Sequence, residues 1–295
     1  MTQVCSIIIR TFNEARYLGA VLEAVAAQTY PAALREVVLV DSGSTDETVA
    51  IAQKHGCVIK TLSREEFSFG RSLNLGCEAA RGDILVFISG HCVPKGEHWL
   101  EELVRPFEDS SVAVTYGRQL GGDETKFSEH LLFEKYFPAH RASEQAPFFC
   151  NNANAAFRRS AWEKYRFDEA LTGLEDMHLA RRLVEQGSKV RYVPKAAVFH
   201  YHHEKWTQVR RRYEREAIAL HAIMPEIHVH WHDALRYFAV GVLGDSARAL
   251  SQRALFRRLP EIVAFRACQY YGSWRGNHAH RALSRRQKER YFYPS

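Results

Sequence analysis

Three short segments carry residue types suited to chemistry, and they follow one another in a telling order. Asp41 closes the apolar run Val37-Val38-Leu39-Val40 and opens the turn Ser42-Gly43-Ser44-Thr45-Asp46. Ser89-Gly90-His91 ends a second apolar run, and Glu175-Asp176 heads a stretch with helical spacing. An apolar strand ending in polar residues and a glycine delivers them to the carboxyl edge of a sheet, where open α/β sheets bind ligands. A carboxylate there accepts hydrogen bonds from a ribose or a base edge, and a turn at a helix N-terminus offers N–H groups to an anion. The series suggests a nucleotide pocket, a diphosphate or metal position, and a base. Each has a plainer alternative: Asp41 and Asp46 as turn and cap residues, Glu175 and Asp176 as acids that complement a helix dipole. Asp46 reads as a cap, and Asp41 as functional because it emerges from a wholly apolar strand.

The elements that must position these residues alternate. Residues 4–10, 36–40, 58–62 and 84–89 read as strands. Residues 13–28, 45–55 and 71–80 read as helices, with Ser44 or Thr45 as N-cap of the second and Gly56 past its end. Such alternation predicts an α/β fold with a mostly parallel, doubly wound sheet and right-handed crossovers. Further on, 97–107 reads as a helix, 112–116 and 152–157 as strands, and 175–186 as a helix stopped by Gly187. Residues 190–193 and 197–201 read as two short strands, and the chain from Trp206 onward as amphipathic helices. Residues 118–150 lack a clean period and read as a long irregular insertion, which in a compact domain is usually functional. The expected division is a catalytic domain over 1–203, with a nucleotide-binding half (1–92) and an acceptor half (93–203), and a helical extension over 204–295.

Composition narrows the class. Hydrophobic residues at 46% and charged residues at 25% describe a globular protein. No apolar stretch approaches the roughly 20 residues that span a bilayer, and no secretory signal is expected because Met1-Thr2-Gln3 leads straight into a strand. Six cysteines without a CxxC pair read as buried reduced thiols. The net charge of +6 is uneven: residues 204–295 hold 17 Lys and Arg against 8 Asp and Glu, residues 1–203 hold 23 against 26. A basic extension predicts a polyanionic partner, or else a solvated set of helices. No zinc-finger, RRM or KH pattern is present, so nucleic acid is not expected; an anionic membrane surface or a phosphorylated glycolipid is. The absence of GxGxxG after a strand, of GxxxxGK[ST] and of GxSxG argues against a dinucleotide site, a P-loop and a hydrolase elbow.

Five motifs in order carry a resemblance. Ser6-Ile7-Ile8-Ile9-Arg10-Thr11-Phe12-Asn13-Glu14, Gln28-Thr29-Tyr30-Pro31, the 40–46 segment, the 69–76 segment and Gly173-Leu174-Glu175-Asp176 resemble those of the family 2 glycosyltransferases. These are inverting nucleotide-sugar enzymes with the GT-A fold, and the 69–76 segment is most like rhamnosyltransferase-type bacterial members. Arg10 stands where proline is usual, Ser42 where a second aspartate is usual, and Leu73 where an arginine is usual, for which Arg71 can substitute. The resemblance covers roughly residues 3–203. It implies that Thr11, Asn13, Glu14, Asp41 and Ser42 face the nucleoside, and that Arg71, Asn74, Ser89 and His91 complete the donor site. Asp176 is then the base, and Glu175 holds the acceptor or orients the helix. Asn152, Asn154 and Arg158 face the acceptor. Trp162 and Trp206 stack on sugars or belong to the core.

One departure bears on the cofactor. The fourth strand of the family ends in D-x-D, which binds a divalent cation against the diphosphate; here it ends in Ser89-Gly90-His91. Two routes remain open. His91, His200 and His202 could hold a cation of the Mn2+ or Mg2+ class, since His200 and His202 share a face on a continuing strand. Otherwise there is no metal, and Arg71 with His200–His203 stabilises the leaving diphosphate; the sequence leans to this second route. The function expected is inverting transfer of a sugar from a UDP- or dTDP-sugar to a saccharide or lipid-linked saccharide, in bacterial surface polysaccharide synthesis. The expected location is the cytoplasm, with peripheral contact at the inner face of the membrane. The rivals are a sugar nucleotidyltransferase, disfavoured by the absence of glycine in Thr11-Phe12-Asn13-Glu14, and a non-catalytic scaffold subunit, disfavoured by the intact Glu175-Asp176.

Overall fold

A computed structural model describes residues 3–140 and 146–279. They group into two units, one of residues 3–122, 133–140, 146–170 and 175–201, the other of 123–132, 171–174 and 202–279. Two short segments expected in the catalytic domain, 123–132 and 171–174, thus group with the C-terminal helices.

The first unit is built on one eight-stranded sheet. In chain order its elements are β1 (Cys5–Thr11), α1 (Ala15–Ala26), β2 (Arg35–Asp41), α2 (Thr48–Lys54), β3 (Val58–Thr61), α3 (Phe69–Ala79), β4 (Ile84–Ser89), β5 (Cys92–Pro94), α4 (Trp99–Val104) and β6 (Val112–Gly121). There follow α5 (Phe127–Tyr136), which bridges the two groupings, then β7 (Asn154–Arg158), α6 (Arg159–Tyr165), α7 (Glu175–Glu185) and β8 (Lys189–His200). The strand order is β3-β2-β1-β4-β7-β6-β8-β5. Strands β1 to β4 pair in parallel, while β7 runs antiparallel to both β4 and β6. The central strands are apolar on both faces: Ile7, Ile9, Val86 and Ile88 enter one buried cluster, Ile8, Leu85 and Phe87 the other. That two-sided burial is why their sequences read as continuous apolar runs.

Three expectations are corrected. Residues 190–193 and 197–201 form one strand, β8, with a register shift where Gly117-Arg118 of β6 meets Val193 and Ala197. A Cβ on Gly117 would lie 2.0 Å from the Ala196 carbonyl oxygen, so only glycine fits that irregularity. The 118–150 stretch is not wholly irregular: β6 continues to Gly121 and α5 follows. The first turn of α5 buries Phe127, Ser128 and Glu129 around its whole circumference, which erases a single-stripe period. Helix α4 stops at Val104 because Pro106 follows, and residues 105–108 form a 3-10 turn.

The second unit contains α8 (Trp206–Ile223), α9 (Trp231–Ser251) and α10 (Leu255–Asn277). Arg266 on α10 makes two hydrogen bonds of 2.7 Å to the Asp245 carboxylate on α9, both groups buried. On the α8 side, the Glu129 carboxylate accepts from His202 Nδ1 at 2.8 Å and from Arg212, which also grips Glu204 at 2.8 Å. None of the described helices is long and apolar enough to cross a membrane.

Candidate active site at the carboxyl edge of β1 and β4

Strands β1 and β4 are neighbours although β2 and β3 intervene in sequence, which makes their carboxyl ends the point where strand order reverses. A crevice opens at such a point in α/β sheets. The loops leaving β1 and β2 are tied into one piece there. Asn13, at φ 56°, donates its N–H to Ser44 Oγ at 2.9 Å and accepts from the Thr45 N–H at 2.8 Å. Glu14 N–H reaches Thr48 Oγ1 at 2.8 Å, and Ala15 N–H reaches Asp46 Oδ2 at 3.1 Å. Asp46 Oδ1 also accepts from the Thr48 N–H, so it is a cap, and α2 starts at Thr48 rather than at 45. Asp41 is buried. Its Oδ2 accepts from the Gly43 and Ser44 N–H groups at 3.0 Å each, and its Oδ1 from Ser44 Oγ and Thr11 Oγ1. Its four acceptor positions thus hold the turn. Ser42 donates its N–H to the Thr11 carbonyl.

Beyond β4 the chain is narrow. A Cβ on Gly90 would stand 3.0 Å from Glu14 Cγ and 3.2 Å from Thr11 Cγ2, which explains the glycine in Ser89-Gly90-His91. His91 Nδ1 lies 2.8 Å from Glu14 Oε1, and His200 Nδ1 lies 2.7 Å from Gln119 Oε1. The two Nε2 atoms then face each other at 3.2 Å. With Nδ1 of each ring engaged by a side-chain oxygen, each Nε2 is turned toward the other. Cys92 lies close by, but burial holds its thiol well above the usual range.

The acid pair sits at the same edge, since Arg10 at the end of β1 places its guanidinium 3.6 Å from Glu175 Oε1 and in sheet register with Ser89. The guanidinium also covers the Phe69 ring at 4.9 Å. Asp176 is buried; its Oδ2 accepts from the Asn152 N–H at 2.6 Å and its Oδ1 from the Met177 N–H at 2.8 Å. Burial first, and then the Glu175 charge, push its carboxyl up to about 7, against the two N–H groups and Arg10, which pull it down. Both polar atoms of the Asn152 side chain are buried without a hydrogen-bond partner in the protein. A buried amide left unpaired costs about 1–3 kcal/mol, so this side chain is built to receive another polar group.

Other predicted residues lie elsewhere or serve the scaffold. Asn74 is buried: its Nδ2 donates to the Phe167 carbonyl and Glu169, and its Oδ1 accepts from Trp162 Nε1 at 2.9 Å. Trp162 is thereby a core residue. Asn154 donates to the Arg118 and Ala196 carbonyls and accepts from Trp99 Nε1. Arg158 pairs in register with Ile84, the opposite end of β4 from Ser89, and binds the Val112, Phe107 and Asp109 carbonyls. Arg71 lies 3.7 Å from Glu169 and 3.9 Å from Glu78. His202 joins Glu129 rather than His91, because β8 ends at His200 and the two-residue alternation ends with it. His203 lies 3.3 Å from Glu124, and the half-exposed Trp206 ring carries Lys126 Nζ at 5.2 Å. Two contributors were missed. Gln119 gave no signal, and Arg10, a charge at the end of an apolar strand, gave one that pointed to no partner.

A switch-point crevice with a buried acid pair at its edge matches the architecture of a GT-A glycosyltransferase, an enzyme that takes a sugar donor and an acceptor, and the His91–His200 pair stands where D-x-D is usual. The comparisons with known proteins agree. Residues 6–166 match the model of glycosyl transferase family 2, and residues 124–268 that of glycosyl transferase family group 2. The chain is 29% identical over 235 residues to the O-antigen chain rhamnosyltransferase RfbN of Salmonella typhimurium, covering 75% of this chain and 74% of that one. It is 30% identical over 203 residues to the O-antigen chain rhamnosyltransferase WbaN of Salmonella anatum, covering 65% and 64%. Its fold is similar to that of mannosyltransferase PcManGT from Pyrobaculum calidifontis, solved with GDP-Man and Mn2+, at TM-score 0.66, 18% identity and coverage of 95% and 89%. The chain belongs to glycosyl transferase family 2.

Proposed function

We propose that this enzyme transfers a sugar, with inversion, from a UDP- or dTDP-sugar to a hydroxyl of a saccharide or lipid-linked saccharide, in the synthesis of a bacterial surface polysaccharide. The O-antigen relatives support the pathway class. The observation that carries the chemistry is Asp176, buried and pushed up to about 7, beside the unpartnered Asn152 amide. A base is most effective when its pKa lies near the working pH. The acceptor hydroxyl donates to Asp176, and Asn152 supplies the remaining hydrogen bonds. As the hydroxyl oxygen bonds to the anomeric carbon, its proton passes to the carboxylate and the bond to the diphosphate breaks on the opposite face. Arg10 keeps Glu175 in place, and Glu175 in turn keeps the Asp176 carboxyl basic. Thr11, Asn13, Glu14, Asp41 and Ser42 act on the nucleoside mainly through the joined loops that they hold, and Arg71 is a half-exposed cation at the start of α3.

The fold implies a divalent cation, and the residues present fit one. The His91 and His200 Nε2 atoms lie 3.2 Å apart, with their Nδ1 atoms held by Glu14 and Gln119, so both could ligate one ion. His91 and His200 would hold the ion, imidazole favouring an Mn2+-like ion over Mg2+. It would supply positive charge where negative charge grows on the leaving diphosphate. This reverses the leaning toward a metal-free site, since Arg71, His202 and His203 each stand against carboxylates. A lipid-linked acceptor and the basic residues 204–295 also support peripheral contact with an anionic membrane. The reading is tested by Asp176→Asn, which should keep donor affinity and lose transfer by about 10²–10⁴. Near-normal turnover in that variant would remove Asp176 from the chemistry.

A further inference from the structure

Thirteen large apolar side chains are exposed among the described residues, and ten of them lie between Trp231 and Tyr271. On α9 the helical period that should face a core faces outward. Leu235, Leu243 and Leu250 fall on one side, 59–70% exposed, with Trp231 and Val240 flanking them. The buried Asp245 and Ala249 of α9 meet α10. Phe256, 92% exposed, continues the apolar surface at the start of α10. The charges around it have one sign. Arg236, Arg253 and Arg257 are exposed. The nearby acids are engaged: Asp233 accepts from the His230 N–H, Asp245 is gripped by Arg266, and Glu261 faces Arg258.

We propose that this face of α9 and the start of α10 lies in the interfacial layer of an anionic lipid bilayer. A helix with an apolar stripe, exposed arginines within it and just beyond its end, and a tryptophan at its start is suited to the boundary between headgroups and acyl chains. Two other occupants fit less well. A second copy would bring like-charged arginines together across a two-fold contact. Residues 280–295 carry five Lys and Arg against one Glu, so they would be repelled by the same arginines, whereas a bilayer of negative headgroups attracts both. The double Asp245–Arg266 bond fixes α9 on α10, so the stripe is presented on a braced pair of helices rather than on a loose tail. This surface deepens the membrane contact inferred above and rests on that reading, but not on the transfer chemistry.

The test uses the full chain and vesicles of phosphatidylglycerol with phosphatidylethanolamine, against phosphatidylcholine alone, read by sedimentation. Wild type should pellet with the anionic vesicles at low salt and much less with the zwitterionic ones. Leu243→Glu with Phe256→Glu should weaken this by at least about tenfold. Arg253→Gln with Arg257→Gln should weaken it by up to about thirtyfold at low salt, with little effect at high salt. All four side chains are exposed, so circular dichroism melts should match wild type. Equal pelleting of wild type with both vesicle types, or unchanged pelleting of the Leu243→Glu and Phe256→Glu protein, overturns the proposal. So does a wild-type dimer that this double variant converts to monomer with vesicle binding intact, which would assign the face to a second copy. The vesicles hold neither donor nor saccharide, so activity on a water-soluble acceptor separately reports whether the transfer reading stands.

Discussion

Two buried acids in this molecule meet opposite fates. Glu129 in the helical unit and Asp176 in the sheet unit are both shielded from water, and burial alone would push both carboxyls up. Glu129 faces Arg212 and His202, which outweigh that penalty and hold it far below the usual carboxylate range. Asp176 has Glu175 beside it and only two backbone N–H groups and the Arg10 charge in compensation, so it ends near neutrality. Burial sets the cost of a charge, and the neighbours decide whether the acid becomes a strut or a base. The helical unit uses its acid for structure, and the sheet unit leaves its acid in the state that the proposed base requires.

The comparison is broken most severely by removing the counter-ion of the strut. Arg212→Met leaves the buried Glu129 without its guanidinium and Glu204 unpaired beside it, and should cost about 3–5 kcal/mol of stability in urea unfolding. A loss under about 1 kcal/mol would mean that the network is solvated and that the contrast with Asp176 is unfounded. Next comes stability against pH. Asp176 has a raised pKa in the folded state, so its stabilising effect is complete below the ordinary carboxylate range and is lost as pH rises toward about 7. Glu129 has the opposite sign: its contribution is present above the ordinary range and is lost only in acid. Between pH 5 and 7 the wild type should therefore lose roughly 1–2 kcal/mol that Asp176→Asn does not lose. Parallel stability curves for the two proteins would show that Asp176 does not titrate there.

A smaller effect is expected at Arg10. Arg10→Met removes the cation that pulls the Asp176 carboxyl down, so the acid limb of the rate profile should move to higher pH, and Arg10→Lys should restore much of it. An unmoved limb would reduce Arg10 to packing on Phe69. For the imidazole pair, the expected result is loss of activity in EDTA, recovery with Mn2+, and failure of His91→Ala to recover. Full activity in EDTA would return the diphosphate to the side chains alone.

Much of the sheet unit was legible because its signals are local. Apolar runs ending in Asp41 and Ser89 mark strands that are buried on both faces, and Gly56 and Gly187 mark helix ends at positive φ. Side-chain partners were not legible, because they lie far apart in sequence. Arg10 and Glu175 are separated by most of the sheet, and Gln119 reaches His200 only because β6 and β8 pair in parallel. Asn74, Asn154 and Arg158 matched motif positions, yet their hydrogen bonds go to backbone groups, tryptophan N–H groups and Glu169, a distinction that composition does not carry. The surplus of arginine after residue 204 was visible, but the outward turn of Leu235, Leu243 and Leu250 was not, since an apolar stripe reads the same whichever way it faces.

The central claim is that Asp176 is a base tuned by burial and by Glu175. It is tested most directly by kcat for sugar transfer from pH 5 to 9, in wild type and in Asp176→Asn. The wild-type rate should rise with pH to a plateau, with its midpoint near 7, and the variant should be slow throughout with no such rise. A flat wild-type profile, or a variant that follows the same rising curve at comparable rate, would contradict it.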